Sequence, residues 1–275
     1  MIAFRVKGDY VGGKFRRVRG ATRKIVSIDP GDSGRRTAAF PIHPPHIDLA
    51  IEAAVEAFPK WADTPIEERA DYLRKFAAEV YNRRDDLAAM ISTETGKPLW
   101  ESRREVDMVK TQVESEIREG IRPVSPFRVG EVRFGVSGAA RYAPLGAVAV
   151  LGAAISPVHL PCAHILPALL SGCTVVFKPS KLVPCTGQLL AEVFDEIELP
   201  AGVFNMVQGD AEYGQKVAED PRLAGLYFTG TLEAGRQLLL VASRHPHRLV
   251  ALQMGGVNLA VVCADAGLER AVAGC

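Results

Sequence analysis

Two hydrophobic rhythms divide the chain. From Asp48 to about Glu119, apolar residues recur at helical spacing. Asp48 is placed to cap a helix running to Phe58, with Leu49, Ala53 and Ala57 on one face. Thr64-Pro65-Ile66-Glu67 supplies a cap, a first-turn proline and acidic residues for a long second helix. That helix shows Ala70, Leu73, Phe76, Ala77, Val80, Leu87 and Met90 to a core and stops at Thr95-Gly96-Lys97-Pro98. Leu99 to Glu119 reads as a third, more charged helix. After Pro144 the rhythm changes. Apolar runs at Val148–Leu151, Thr174–Phe177, Val203–Val207 and Gly225–Phe228 alternate with helix-like stretches. Strands apolar at every position are buried on both faces, and their alternation with helices predicts a parallel α/β sheet.

The segments outside these rhythms read as hairpins. The N-terminus predicts short strands, with Asp29-Pro30-Gly31-Asp32-Ser33-Gly34 dense in turn residues. Residues 121–142 predict a β-hairpin arm. The early cluster Lys7, Lys14, Arg16, Arg17 and Arg19 is interleaved with Tyr10 and Phe15. It fits a solvated edge hairpin better than a nucleic-acid patch.

Charge sharpens that exclusion. Lys+Arg total 33 against Asp+Glu 32, so no bulk field draws the chain to nucleic acid or a membrane. The first twenty residues hold no apolar signal core, and Ala143 to Ala154 is too short to span a bilayer. The cysteines Cys162, Cys173, Cys185, Cys263 and Cys275 show neither C-x-x-C nor zinc spacing. With no secretion signal this fits a reducing cytosol, and a cytoplasmic location is expected.

Ligands of open parallel sheets bind at the carboxyl ends of strands. The candidates are therefore Gly152 to Pro157, Lys178-Pro179-Ser180-Lys181, Gln208-Gly209, and Thr229-Gly230-Thr231 with Gly235. Glycines there allow close backbone approach, and helix N-termini offer free N–H groups to phosphate. No G-x-G-x-x-G is present. On spacing alone these residues fit either a nucleotide cradle or ordinary strand-end turns. His159 and His164, five apart, do not share a helical face as metal ligands would; Cys162 and Cys275 read as buried or incidental thiols.

Several motifs in order carry more. Phe177-Lys178-Pro179-Ser180, Leu199-Pro200-Ala201-Gly202-Val203-Phe204-Asn205, Phe228-Thr229-Gly230-Thr231 and Leu252-Gln253-Met254-Gly255-Gly256 resemble those of the aldehyde dehydrogenase superfamily. Phe58-Pro59-Lys60-Trp61 and Glu94-Thr95-Gly96-Lys97-Pro98 agree. His159-Leu160-Pro161 and His164 to Leu169 lean toward the succinylglutamate-semialdehyde branch. The resemblance covers nearly the whole chain. It implies a Rossmann-like NAD(P)-binding domain over residues 1–253, with 121–142 as a bridging arm and 254–275 opening a catalytic domain. It implies NAD or NADP held by Lys178, Ser180, Lys181, Gly209, Gly214, Phe228, Gly230 and Thr231.

The same resemblance shows departures. The family oxidises aldehydes to carboxylates with a cysteine thiolate, a glutamate general base and an asparagine oxyanion donor. The asparagine's place is Ile155, which has no donor; such a loss costs roughly 10²–10³ in rate. The glutamate's place is Gln253, which cannot take a proton, a loss of roughly 10²–10⁴. The nucleophile belongs to a segment beyond Cys275. Lys181 stands where the family typically has a glutamate that accepts from the ribose hydroxyls, which leaves NADP, weak NAD binding or no binding. An inactive, at most nucleotide-binding relative is the favoured expectation. A piece of a split or truncated semialdehyde dehydrogenase, and a module that self-associates or recruits a partner chain through an uncovered face, are the alternatives.

Overall fold

The computed structural model describes residues 4–18, 21, 23–256 and 259–274; Arg19 and Cys275 lie outside them. The chain opens with two hairpins. Strands β1 (Asp9–Tyr10) and β2 (Phe15–Arg16) pair antiparallel around Gly12 and Gly13, whose φ values are +62° and +75°. A residue without Cβ adopts that turn most cheaply. This hairpin lies at a sheet edge as expected, but β1 is buried rather than solvated, because it also pairs with a strand of the main sheet. Strands β3 (Lys24–Asp29) and β4 (Asp32–Pro41) form a separate two-stranded sheet turning at Pro30-Gly31.

Helix α1 (Pro45–Asp63) starts earlier than predicted and buries a different face: His46, Ile47, Ala50, Ile51, Ala54 and Trp61. Leu49 is exposed and Ala53 and Ala57 are half-buried. Tertiary contact decides this. Thr174 donates to the Ala54 carbonyl at 2.7 Å, and an added Cβ on Gly202 would overlap the Ala53 carbonyl. Asp48 caps nothing and instead pairs with Arg222 at 3.1 Å. The expected long helix is two, α2 (Ile66–Asn82) and α3 (Arg84–Thr95), broken at Arg83. Its seven predicted core positions are all buried. Thr64 does not cap α2, since its hydroxyl donates back to Lys60. Gly96, at φ +75°, ends α3 as its left-handed cap. Helix α4 (Leu99–Ser115) runs into a π turn at Glu116–Gly120. Strands β5 (Phe127–Arg133) and β6 (Val136–Ala140) then form the hairpin arm, with no buried position.

The apolar runs build the main sheet. In chain order come β7 (Ala147–Leu151), α5 (His159–Leu170), β8 (Thr174–Lys178), α6 (Pro184–Glu196) and β9 (Phe204–Met206). Then follow α7 (Ala211–Glu219), β10 (Gly225–Gly230), α8 (Leu232–Ala242), β11 (Leu249–Met254) and α9 (Leu268–Gly274). The spatial order is β11-β10-β7-β8-β9-β1-β2, parallel from β11 to β9. β7 and β8 are buried at every position, as their composition requires. From β7 the chain winds outward through β8 and β9, then returns to the other side of β7 with β10 and β11. The winding therefore reverses between β7 and β10, the topological switch point where open α/β sheets bind ligands.

Candidate functional site

A cleft of about 500 Å³ opens at that switch point. Its floor is Leu151 and Gly152 at the end of β7, with Phe228 from β10; α7 and α8 form its walls. Glycine is required in the floor, since a Cβ on Gly152 would sit 2.9 Å from the Phe177 ring. Both walls present capped helix N-termini. Asp210 accepts from the amides of Glu212 and Tyr213, and Thr231 accepts from Ala234. The remaining N–H groups of each first turn carry partial positive charge.

Lys178 is the buried cation of the cleft. It ends β8, and its Nζ donates to the carbonyls of Pro179 at 2.7 Å and Gly209 at 3.1 Å. Gly214 makes room for it, because a Cβ there would lie 3.3 Å from Lys178 Cε. Burial pulls the Lys178 pKa down to about 8; Asp210 opposes the fall and Lys181 adds to it. An ammonium has three N–H bonds, so one remains for a ligand hydroxyl or phosphate. Ser180 accepts from the Leu182 amide at 3.3 Å, which leaves its hydroxyl proton free to donate. Lys181 stands exposed on the same wall.

The acids at the rim are already engaged. Arg23 reaches Asp210 at 2.7 Å and Glu212 at 2.9 Å, and Lys216 reaches Glu212 at 3.0 Å. Sequence reasoning missed Arg23, Asp210, Gln215 and Gln237. Only Asp210 left a signal, as an Asp-Ala-Glu cap after Gly209.

The expected site residues separate into two places. Lys178, Ser180, Lys181, Gly214 and Phe228 share the cleft. Gly209 lies just behind it through its carbonyl, while Gly230 and Thr231 form the β10–α8 turn beyond its lining. Ile155 and Gln253 are elsewhere. Ile155 is 70% exposed in the loop after β7. That loop is held by the buried Glu105, which accepts from the amides of Val158 at 3.0 Å and His159 at 3.3 Å. Lys97 ties Glu105 at 3.1 Å to the Ser156 hydroxyl at 3.3 Å. Gln253 is exposed near the end of β11.

Cys162 is no nucleophile in this setting. It is fully buried, and burial, with Glu105 nearby, pushes its thiol well above the usual range. Among the described residues no cluster of His, Cys, Asp or Glu could hold a metal, and no helix is long and apolar enough to cross a membrane.

The model of the aldehyde dehydrogenase family matches residues 18–275. The chain belongs to that family. It is 41% identical over 225 residues to the N-succinylglutamate 5-semialdehyde dehydrogenase of Novosphingobium aromaticivorans, covering 82% of this chain and 48% of that protein. It is 37% identical over 274 residues to the Pseudomonas fluorescens protein of the same name, covering 97% and 53%. The chain thus spans about half the length of the curated relatives it matches. Among solved structures, an E. coli NADP-dependent enzyme superposes with TM-score 0.90 at 29% identity, covering 98% of this chain and 55% of that one. E. coli lactaldehyde dehydrogenase gives 0.88 at 32%, covering 97% and 55%. The solved structures agree with the α/β fold described above, and the two curated relatives with the branch expected from His159 to Leu169.

Proposed function

We propose that this chain binds a nicotinamide dinucleotide, NADP ahead of NAD, and does not oxidise an aldehyde with its own residues. One observation carries the binding half: Lys178, Ser180, Lys181, Gly214 and Phe228 converge on a single cleft at the switch point of the sheet. Lys178 and Ser180 would hold the adenosine ribose, and the capped N-termini of α7 and α8 suit the phosphates. The preference for NADP follows from the charge of the wall: its two acids are neutralised and, among the described residues, its exposed lysine is not. Asp210 and Glu212 are bonded to Arg23 and Lys216, and Lys181 can only donate. Such a wall favours a 2′-phosphate over two bare ribose hydroxyls.

When bound, the nicotinamide supplies the hydride acceptor of the family reaction. The positions that serve that reaction by resemblance are Ile155 and Gln253, and neither can do its work. Isoleucine donates nothing to an oxyanion, and an amide takes no proton from water. The two losses stand whatever follows residue 275. Residues 1–253 would form the nucleotide-binding unit, with 121–142 as its arm and the strands of that arm spanning 127–140. β11 runs to Met254, one residue past that boundary, and the expected next unit would begin after it, where α9 has no buried residue.

A second reading is a piece of a semialdehyde dehydrogenase, or a module bound to a partner chain or a second copy. It is favoured by the exposure of Leu259, Val261, Val262, Leu268 and Val272 on one short stretch. Calorimetric titration with NADP+ and NAD+, beside a semialdehyde-dependent NAD(P)H assay, separates the readings. Binding of NADP+ without turnover is the expected result. Turnover overturns the inactive assignment, and failure of both nucleotides to bind leaves the docking module.

A further inference from the structure

Three polar side chains outside the lining of the cleft form a line. They are His164 on α5, Thr229 on β10 and Gln253 on β11. The Thr229 hydroxyl donates to Gln253 Oε1 at 3.2 Å, and its oxygen lies 3.1 Å from His164 Nε2. Thr229 has one proton. Once it is given to Gln253, only lone pairs face His164, so Nε2 must carry the ring's proton. The imidazole stacks on Tyr227, with centroids 5.6 Å apart and planes 7° apart, which fixes the direction of that N–H. Burial lowers the His164 pKa, in keeping with a neutral ring that holds a single proton. Thr229 and Gln253 are register partners on adjacent parallel strands, so the backbone itself sets their spacing.

We infer that His164 and Thr229 are positioning residues for the side chain at 253, and that their chain of hydrogen bonds would seat a carboxylate there as it seats the Gln253 amide. The inference rests on reading 253 as the family's general-base position. Its physical basis is polarity. Both protons of the chain point toward residue 253, and they end on an oxygen that an amide and a carboxylate share. A carboxylate is the stronger acceptor, and no donor has to turn to meet it. The amide nitrogen of Gln253 has no partner among the described residues, so nothing in the arrangement requires glutamine. What position 253 lacks is the ability to accept a proton, not the support that would orient a base.

The test is the titration of Gln253→Glu, made in the full chain and followed by NMR of its 13C-labelled side-chain carboxyl. The titratable groups on the elements packed around it are His159, Cys162 and His164 on α5, Tyr227 on β10, and the exposed Glu233 and Arg236 on α8. Adding Thr229→Val removes the donated proton at nearly constant volume. It should raise the pKa of the introduced carboxyl by roughly half a unit to one unit, the equivalent of one hydrogen bond. Thr229→Ser, which keeps the hydroxyl, should restore the lower value and shows that the fold tolerates change at this site. His164→Phe, which keeps the stack on Tyr227, should shift the pKa in the same direction by less. A carboxyl pKa that ignores Thr229→Val overturns the inference, and one that ignores His164→Phe removes His164 from it. No nucleotide enters these measurements, so failure of NADP to bind is a separate result.

Discussion

Replacing Lys181 with glutamate reverses one charge on the wall of the cleft and leaves the packing alone, because the side chain is exposed. Two unit charges 4 Å apart in water interact by about 1 kcal/mol. A phosphate monoester carries close to two negative charges at neutral pH, so Lys181 should favour NADP by about 1–2 kcal/mol. Glutamate turns that attraction into a repulsion of similar size. Exposure and physiological salt reduce the swing to roughly 1–2 kcal/mol in all, about five- to thirtyfold in the ratio of the two dissociation constants. The glutamate also accepts from ribose hydroxyls, so the affinity for NAD should rise while that for NADP falls. Calorimetric titration of both chains with both nucleotides reads the ratio directly. A ratio that Lys181→Glu leaves unchanged refutes the assignment of this wall to the adenosine ribose, even if both nucleotides bind.

Lys178 ties binding and stability to pH in opposite directions. Its folded pKa of about 8 lies below the unfolded 10.5, so between those values the unfolded chain holds more protons and stability rises with pH. NADP binding, which uses the ammonium, should weaken as pH climbs through 8, and Lys178→Met should remove the slope in both denaturation and titration series. Glu94→Ala strips a buried acceptor from the Ser27 hydroxyl, the Cys185 and Thr186 amides and the Thr186 hydroxyl at the start of α6. The loss should be on the order of 3 kcal/mol or more, read as a lower urea midpoint at unchanged slope. Replacing 127–140 by a short turn should leave the thermal midpoint in place, since no position of the arm is buried.

Where burial is complete, composition alone revealed the elements. β7 and β8 announce themselves because a strand covered on both faces has no polar position. β11 carries no such signature, because Leu249 and Gln253 are exposed and its neighbours are His245, His247 and Arg248. The break between α2 and α3 was invisible for a related reason. Asn82-Arg83-Arg84-Asp85 contains neither Gly nor Pro, and the bend is held by partners far away. Arg83 bridges to Glu192, and Arg84 pairs with Asp107. The periodicity of α1 points to the wrong face because its buried side is chosen by the sheet, through Thr174 and Gly202. In the cleft, Lys178 and Gly214 were legible as strand-end and glycine signals. The bond from Arg23 to Asp210 spans 187 positions of sequence, and no local pattern encodes it.

The three departures from the family pattern share a physical property: Ile155, Lys181 and Gln253 are all exposed. Several of the site residues that match the pattern are ones the fold depends on. Lys178 is buried with its ammonium satisfied by two carbonyls. A Cβ on Gly209 would overlap the Tyr213 ring, and one on Gly214 would press on Lys178. Changing any of these would leave a buried donor or acceptor unpaired or force side chains apart, each a recognised route to large destabilisation. An exposed asparagine or glutamate can be replaced within a few tenths of a kcal/mol, since surface substitutions seldom move stability by more than about 0.5 kcal/mol. Under the proposed function, catalytic competence would therefore rest on exposed side chains and nucleotide binding on the packing of the sheet. A chain of this fold can lose its base and its oxyanion donor with its stability intact. The buried residues of the cleft cannot change as cheaply, so the proposed nucleotide binding is the activity to measure first.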